Sequence, residues 1–177
     1  LGDSDKLARL YITTCTLMGI FKFPKILEVF YERALRIAEE KQDPQLISSV
    51  KAYRAYAIGY NGNEVEAEHL VKDLLADYKH TLSIEDYVYL SGIYMSSALV
   101  RGFAKNALQV ALSGIEHVEK SFVGTPKLKE HYLTWCRSYA MSSLMMLGRL
   151  SEAKRHKDKL DEYFKEHPND RYHWGIH

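Results

Sequence analysis

Three segments of the chain share one pattern, a glycine followed five residues later by an alanine: GNEVEA from Gly62 to Ala67, GFAKNA from Gly102 to Ala107, and GRLSEA from Gly148 to Ala153. A glycine between helical stretches marks a tight turn at positive φ, which closes one helix and lets the next begin. A small residue five positions on suits a close crossing of the second helix over the first. One period earlier KFPKIL, from Lys22 to Leu27, holds the same place with weaker chemistry. The spacings are 40 residues (22 to 62), 40 (62 to 102) and 46 (102 to 148). A turn that returns at a near-constant interval restricts the chain to a repeat architecture, in which each hairpin buries its apolar face on its neighbours.

The other punctuation agrees with an all-α chain. Pro24, Pro44, Pro126 and Pro168 fall at element edges, where a missing N–H costs little. Asp43 before Pro44 and Thr125 before Pro126 read as N-caps, and SIED from Ser83 to Asp86 has capping-box form. These stops delimit eight predicted helices near 4–21, 24–41, 44–60, 64–79, 83–101, 103–121, 126–147 and 149–166. The odd-numbered ones carry long uncharged tracts, such as LYITTCTLMGIF at 10–21 and YVYLSGIYMSSALV at 87–100. The even-numbered ones are charged and one-striped. In the fourth, Ala67, Leu70, Val71, Leu74, Leu75 and Tyr78 make the stripe. Alternation of covered and one-sided helices predicts an α-solenoid of four antiparallel hairpins, near 4–41, 44–79, 83–121 and 126–166, forming a single domain over 1–177.

Net charge excludes several partners. The 24 Lys and Arg nearly cancel the 23 Asp and Glu, so no global field draws in nucleic acid or an anionic membrane. The longest uncharged run, 87–100, is too short to span a bilayer. Cys15 and Cys136 sit among apolar or small residues and read as reduced core thiols. With no basic-then-apolar leader and no N-x-S/T acceptor, the expected location is cytoplasmic. The chain opens on Leu1 and not on methionine, so a fragment of a longer protein is expected.

At the glycine-then-alanine turns the chain resembles the tetratricopeptide family. It resembles most the longer-helix arrays of bacterial signalling proteins and transcriptional regulators, since its period exceeds the family's usual ~34 residues. The small or apolar inner slots fall on Cys15, Ala55, Met95 and Met141, and the slots where the family usually has tyrosine fall on Met18, Ile58, Ala98 and Leu144. The early tryptophan slot is matched by Tyr11, while Lys51, Ser91 and Arg137 depart from it. The resemblance implies a right-handed superhelix with a concave face lined by the inner helices. Its lining would include Arg9, Thr13 and Thr16, then Tyr53, Tyr56 and Tyr60, then Tyr89, Ile93 and Ser96, and finally Trp135, Tyr139 and Ser142. Tyr53, Tyr56 and Tyr60 share one helix face by spacing. Such a tyrosine- and tryptophan-rich surface suits recognition, and the alternative is that these aromatics pack between hairpins.

Catalysis finds little support. Eight histidines never form H-E-x-x-H or pair with the cysteines at zinc spacing. His131 and Cys136, five apart on one helix, point in different directions. No glycine-rich phosphate loop occurs, and His173 and His177 read as tail residues. No cofactor or metal is expected. The expected function is protein or peptide recognition, with a partner bearing an apolar or aromatic segment, in the regulatory or scaffold part of a larger signalling protein. The alternatives are an effector-sensing or oligomerisation domain of a bacterial transcriptional regulator, or, third, an all-α enzyme. The first helix, with Leu7, Leu10, Tyr11, Leu17 and Phe21, is too apolar to end a free array; a homodimer contact and a further upstream hairpin are both open.

Overall fold

The computed structural model describes residues 3–78 and 81–168, with side chains from Lys6 onward, and every regular element among these residues is an α-helix. In order they are α1 (Asp3–Ile20), α2 (Pro24–Glu40), α3 (Pro44–Tyr60), α4 (Glu64–Asp77), α5 (Ile84–Val100), α6 (Ala104–Ser121), α7 (Pro126–Met146) and α8 (Leu150–Glu166). Predicted and observed boundaries agree within one or two residues, because caps of the expected kind set them. Asp43 Oδ1 accepts from the backbone N–H of Gln45 and Leu46 at 2.9 and 3.1 Å. Thr125 Oγ1 accepts from Leu128 N–H at 3.4 Å, and Ser83 Oγ from Asp86 N–H at 3.0 Å. The reciprocal half of the Ser83 capping box is diverted, since Asp86 Oδ2 accepts from Ser49 Oγ of α3 at 2.8 Å.

The repeated turn has one construction. In the α3–α4 turn, Gly62 N–H donates to Gly59 O at 3.0 Å and Asn63 N–H to Ile58 O at 3.2 Å, closing the helix with a 5→2 and a 6→1 bond. Asn63 then opens α4, its own carbonyl accepting from Ala67 N–H at 3.0 Å. The same set recurs around Gly102, where Phe103 N–H reaches Ala98 O at 2.7 Å, and around Gly148, where Arg149 N–H reaches Leu144 O at 2.9 Å. The residue between the two helices has φ of 94°, 80° and 71° at the three glycines. Nothing lies within 4 Å of where their Cβ atoms would be, so backbone conformation and not space selects glycine there. Lys22 adopts the same conformation, φ 61°, as does Gln42 between α2 and α3, φ 52°. The residue five on is buried each time: Leu27 1%, Ala67 0%, Ala107 0% and Ala153 4% exposed.

By compactness the chain divides into two units, Leu1–Tyr94 and Met95–His177, with the division inside α5. In the first, α1 packs on α2 and α3, α2 on α3, and α3 on α4. One core cluster joins Ala8 and Ile12 of α1 to Ala34 and Ala38 of α2 and to Leu46 and Val50 of α3. The α1–α3 crossing is backbone against backbone, for a Cβ on Gly19 would stand 2.3 Å from Ala57 O and 2.6 Å from Ala57 Cα. In the second unit α6 packs on α7 and α7 on α8, and a Cβ on Gly114 would meet Cys136 Sγ at 2.9 Å.

The contrast of helix type is visible in burial between α3 and its neighbours α2 and α4. Residues 55–58 of α3 are all buried, which requires neighbours on every side. Helix α2 buries only Leu27, Ala34 and Ala38, and α4 only Ala67, Val71 and Leu74, one stripe each. Of the residues departing from the tryptophan slot, Ser91 is fully buried with its Oγ unpartnered, and Lys51 and Arg137 reach across. Lys51 Nζ donates to Tyr78 Oη at 2.6 Å beyond the end of α4. Buried Arg137 faces Glu130 at 3.2 Å and Glu119 of α6 at 3.9 Å. Burial, then the charges of Arg137 and Lys159, hold His156 of α8 below the ordinary imidazole pKa.

Equilibrium urea denaturation checks these packing claims. Gly148→Ala, which strains only φ, is expected to cost about 1 kcal/mol, and Gly19→Ala, which drives a methyl into backbone, about 3 kcal/mol; equal losses would contradict the distinction. A folded pKa below the unfolded value of about 6.5 means that the unfolded chain takes the His156 proton more readily. Stability is therefore lost as pH falls below that value, and His156→Gln should flatten the decline that begins near pH 6.5.

Candidate functional site

The first unit carries an open pocket of about 440 Å³ at the amino-terminal ends of α3 and α5, facing α1. Helix α1 contributes Arg9, Ile12 and Thr13. Asp43, Gln45, Leu46 and Ser49 come from the start of α3 and Tyr53 from its middle, and Ser83, Glu85 and Asp86 come from the start of α5. Its position follows from the caps. The Asp43 carboxylate is held by α3 N–H groups, and the Asp86 carboxylate, on a residue 5% exposed, is held by Ser49. Two charges remain: Arg9 and Glu85 line the same pocket, and neither makes an ion pair or side-chain hydrogen bond among the described residues.

The tyrosines expected on one surface divide by role. Tyr56 is buried, 8% exposed, and its hydroxyl donates to Asp86 O at 3.0 Å, so it ties α3 to α5 and is a packing residue. Burial, then the nearby Asp86 carboxylate, raises its hydroxyl pKa well above the ordinary value. Tyr53, half-buried, meets Tyr56 edge-on at 5.5 Å and enters the pocket. Burial, then Asp86 and Glu85, raise its pKa, while Arg9 opposes them, so at neutral pH it stays a neutral donor. Tyr89 meets Tyr56 at 6.4 Å. Half-buried Ile93 stands 3.9 Å from the Cβ position of Gly59, and Tyr60 is 61% exposed.

Thr16 Oγ1 donates to Ile12 O at 3.3 Å within α1, and the other expected residues, Ser96, Trp135, Tyr139 and Ser142, belong to the second unit. Trp135 and Tyr139 stack at a tilt, 5.9 Å between centroids. Burial raises the Tyr139 pKa, and a hydrogen bond with Ser96 partly offsets this. Ser142 Oγ donates to Ser138 O at 3.0 Å within its own helix. Arg9, Thr13 and Tyr53 were thus legible as lining. Gln45, Ser49, Ser83, Glu85 and Asp86 were not, because the pocket sits at helix starts while the transferred inner-face positions run through helix middles.

Nucleophilic and metal chemistry gain little from the geometry. Burial pushes the Cys15 and Cys136 thiols up to about 12, far from the thiolate a nucleophile needs. No group of three His, Cys, Asp or Glu fit to hold a metal occurs among the described residues, and His80, His173 and His177 lie outside them. No helix among the described residues is long and apolar enough to cross a membrane. No protein-family model matches the chain, and no curated protein or solved structure matches it significantly.

Thiol accessibility checks the burial directly. In native buffer near pH 8, DTNB should modify neither cysteine on the timescale of minutes, whereas in guanidinium chloride both should react at once; fast native reaction of either would show its helix contact to be open.

Proposed function

We propose that the chain is a tetratricopeptide-like array of helical hairpins that recognises a protein or peptide segment, as the regulatory or scaffold part of a larger signalling protein. The observation that carries this reading is the pocket with Arg9 and Glu85 uncommitted within it. Unlike charges that line one pocket and do not neutralise one another can serve a ligand with both a donor-rich and an acceptor-rich end, as any stretch of polypeptide has. Thr13, Gln45, Ser83 and the Tyr53 hydroxyl supply further groups for backbone amides and carbonyls. The faces of Tyr53 and exposed Tyr60 suit an apolar or aromatic side chain of the partner. Support for the array comes from the turns: all four turns joining the two helices of a predicted hairpin share one hydrogen-bond pattern and one positive-φ residue.

A second reading has its own observation. A volume of about 440 Å³ lies in the range of small-molecule sites, roughly 300–1,000 Å³, and favours the effector-sensing domain of a transcriptional regulator. Both readings place binding, and not catalysis, at the same residues.

Peptides selected from a random library against the immobilised chain provide the probe. Arg9→Ala and Glu85→Gln should each weaken the selected peptides about tenfold, or about 1.4 kcal/mol, by isothermal titration calorimetry. Both side chains are exposed, so the melting temperature should stay put. Unchanged affinity in both variants would remove the pocket from the binding surface.

A further inference from the structure

The carboxylates of the first-unit pocket are unequally committed. Asp43 caps α3, and its Oδ1 already accepts from the N–H groups of Gln45 and Leu46. Asp86 is only 5% exposed, and its Oδ2 accepts from Ser49 Oγ at 2.8 Å. Its Oδ1 has no hydrogen-bond partner among the described residues, yet it is not sealed from solvent. On a residue that lines the cavity, that oxygen is an acceptor left open to an occupant. A buried carboxylate held on one oxygen alone carries a desolvation cost that a cation with N–H donors would offset. Two further groups of the same wall are open: the Glu85 side chain and the Tyr53 hydroxyl make no hydrogen bond among the described residues.

Charge and donor count narrow the occupant. The cavity is lined by three carboxylates against the single guanidinium of Arg9. The α3 N–H groups offset Asp43. Arg9 and the start of α5, worth about half a positive charge, do not balance Glu85 and Asp86. The Tyr53 hydroxyl reports the result: after burial, Asp86 and then Glu85 act on it more strongly than Arg9 does. The open acceptors are three and separate: a Glu85 oxygen, Asp86 Oδ1 and the Tyr53 oxygen. A primary ammonium has three donors and no acceptor. A guanidinium fork prefers both oxygens of one carboxylate, and Asp43 and Asp86 each have one oxygen taken.

We propose that the pocket holds a primary ammonium group of its partner, a free amino terminus or a lysine side chain, between Glu85, Asp86 Oδ1 and the Tyr53 hydroxyl. The proposal rests on the reading of this pocket as a recognition site and adds the group that is recognised. Capture of an amine in this way fixes the register of a polypeptide, and Arg9, on the α1 side, is left to serve a carbonyl of the same segment.

Amide chemical-shift titration of the isotope-labelled 177-residue chain tests this with small probes. Nα-acetyl-lysine methylamide carries a side-chain ammonium, alanyl-alanine amide carries an α-ammonium, and Nα-acetyl-norleucine methylamide is a neutral analogue. The expected result is millimolar binding of at least one ammonium probe, about tenfold tighter than the norleucine probe, with the largest shifts in amides of the pocket wall. Which probe binds identifies the source as a lysine or an amino terminus. Glu85→Gln and Asp86→Asn keep shape and remove charge, and each should weaken that binding about tenfold. Melting temperature reports whether Asp86→Asn folds; if it does not, Tyr53→Phe replaces it. Failure of both ammonium probes to bind overturns the proposal, as does equal binding of the norleucine probe or binding that these variants leave unchanged. The peptide reading is judged apart: library-selected peptides that depend on Arg9 and Glu85 uphold it even where ammonium selectivity fails.

Discussion

The structure depends on a backbone turn. In each of five junctions one residue at positive φ lets the last carbonyls of a helix accept two closing N–H groups, while the next residue opens the following helix with its own carbonyl. With no residue spare between closing and opening, the angle between consecutive helices is set by backbone geometry and not by side-chain choice. All four turns within the predicted hairpins are built this way, and so is the α2–α3 connection. The two remaining junctions, α4–α5 and α6–α7, are longer. The irregular period follows: between Gly102 and Gly148 helix α7 runs 21 residues where α3 runs 17, which supplies four of the six extra positions.

A fixed turn then decides which residues are small. Helix α4 is held close to α3 at its first turns, and Ala67 Cβ stands 3.6 Å from the Cβ position of Gly59. The contact between α1 and α3 is tighter, at Gly19 against Ala57. A close-packed interior leaves no room for even one added methyl at Gly19, whereas at Gly59 a methyl would make ordinary contact. Polar residues are kept where they can reach past the packing: Tyr56 to Asp86 O, Lys51 to Tyr78, Arg137 to Glu130 and Glu119.

Helix positions were legible because each boundary carries local chemistry. Asp43, Thr125 and the three glycines act within a few residues of themselves, and so they can be read one at a time. Lys22 was legible only by extrapolation along the period, and the positive φ of Gln42 not at all, since neither side chain advertises a left-handed backbone. The site was legible in part. Helical spacing put Tyr53, Tyr56 and Tyr60 on one face, but three residues on one face can be pocket wall, core and open surface according to what α5 covers. That depends on the Asp86 contacts with Ser49 and Tyr56, made between residues more than 29 positions apart, which no local pattern encodes.

Lys22 and Gln42 supply the most direct test of the turn as the organising constraint. Both hold a conformation that glycine adopts without strain, at φ 61° and 52°. In urea denaturation Lys22→Gly and Gln42→Gly should therefore each raise stability, by roughly 0.5–1 kcal/mol once the extra freedom of glycine in the unfolded chain is subtracted. At an ordinary solvent-exposed position glycine lowers stability. A loss of stability in both variants would mean that these junctions do not use the turn, and the common construction of the hairpins would fail with it.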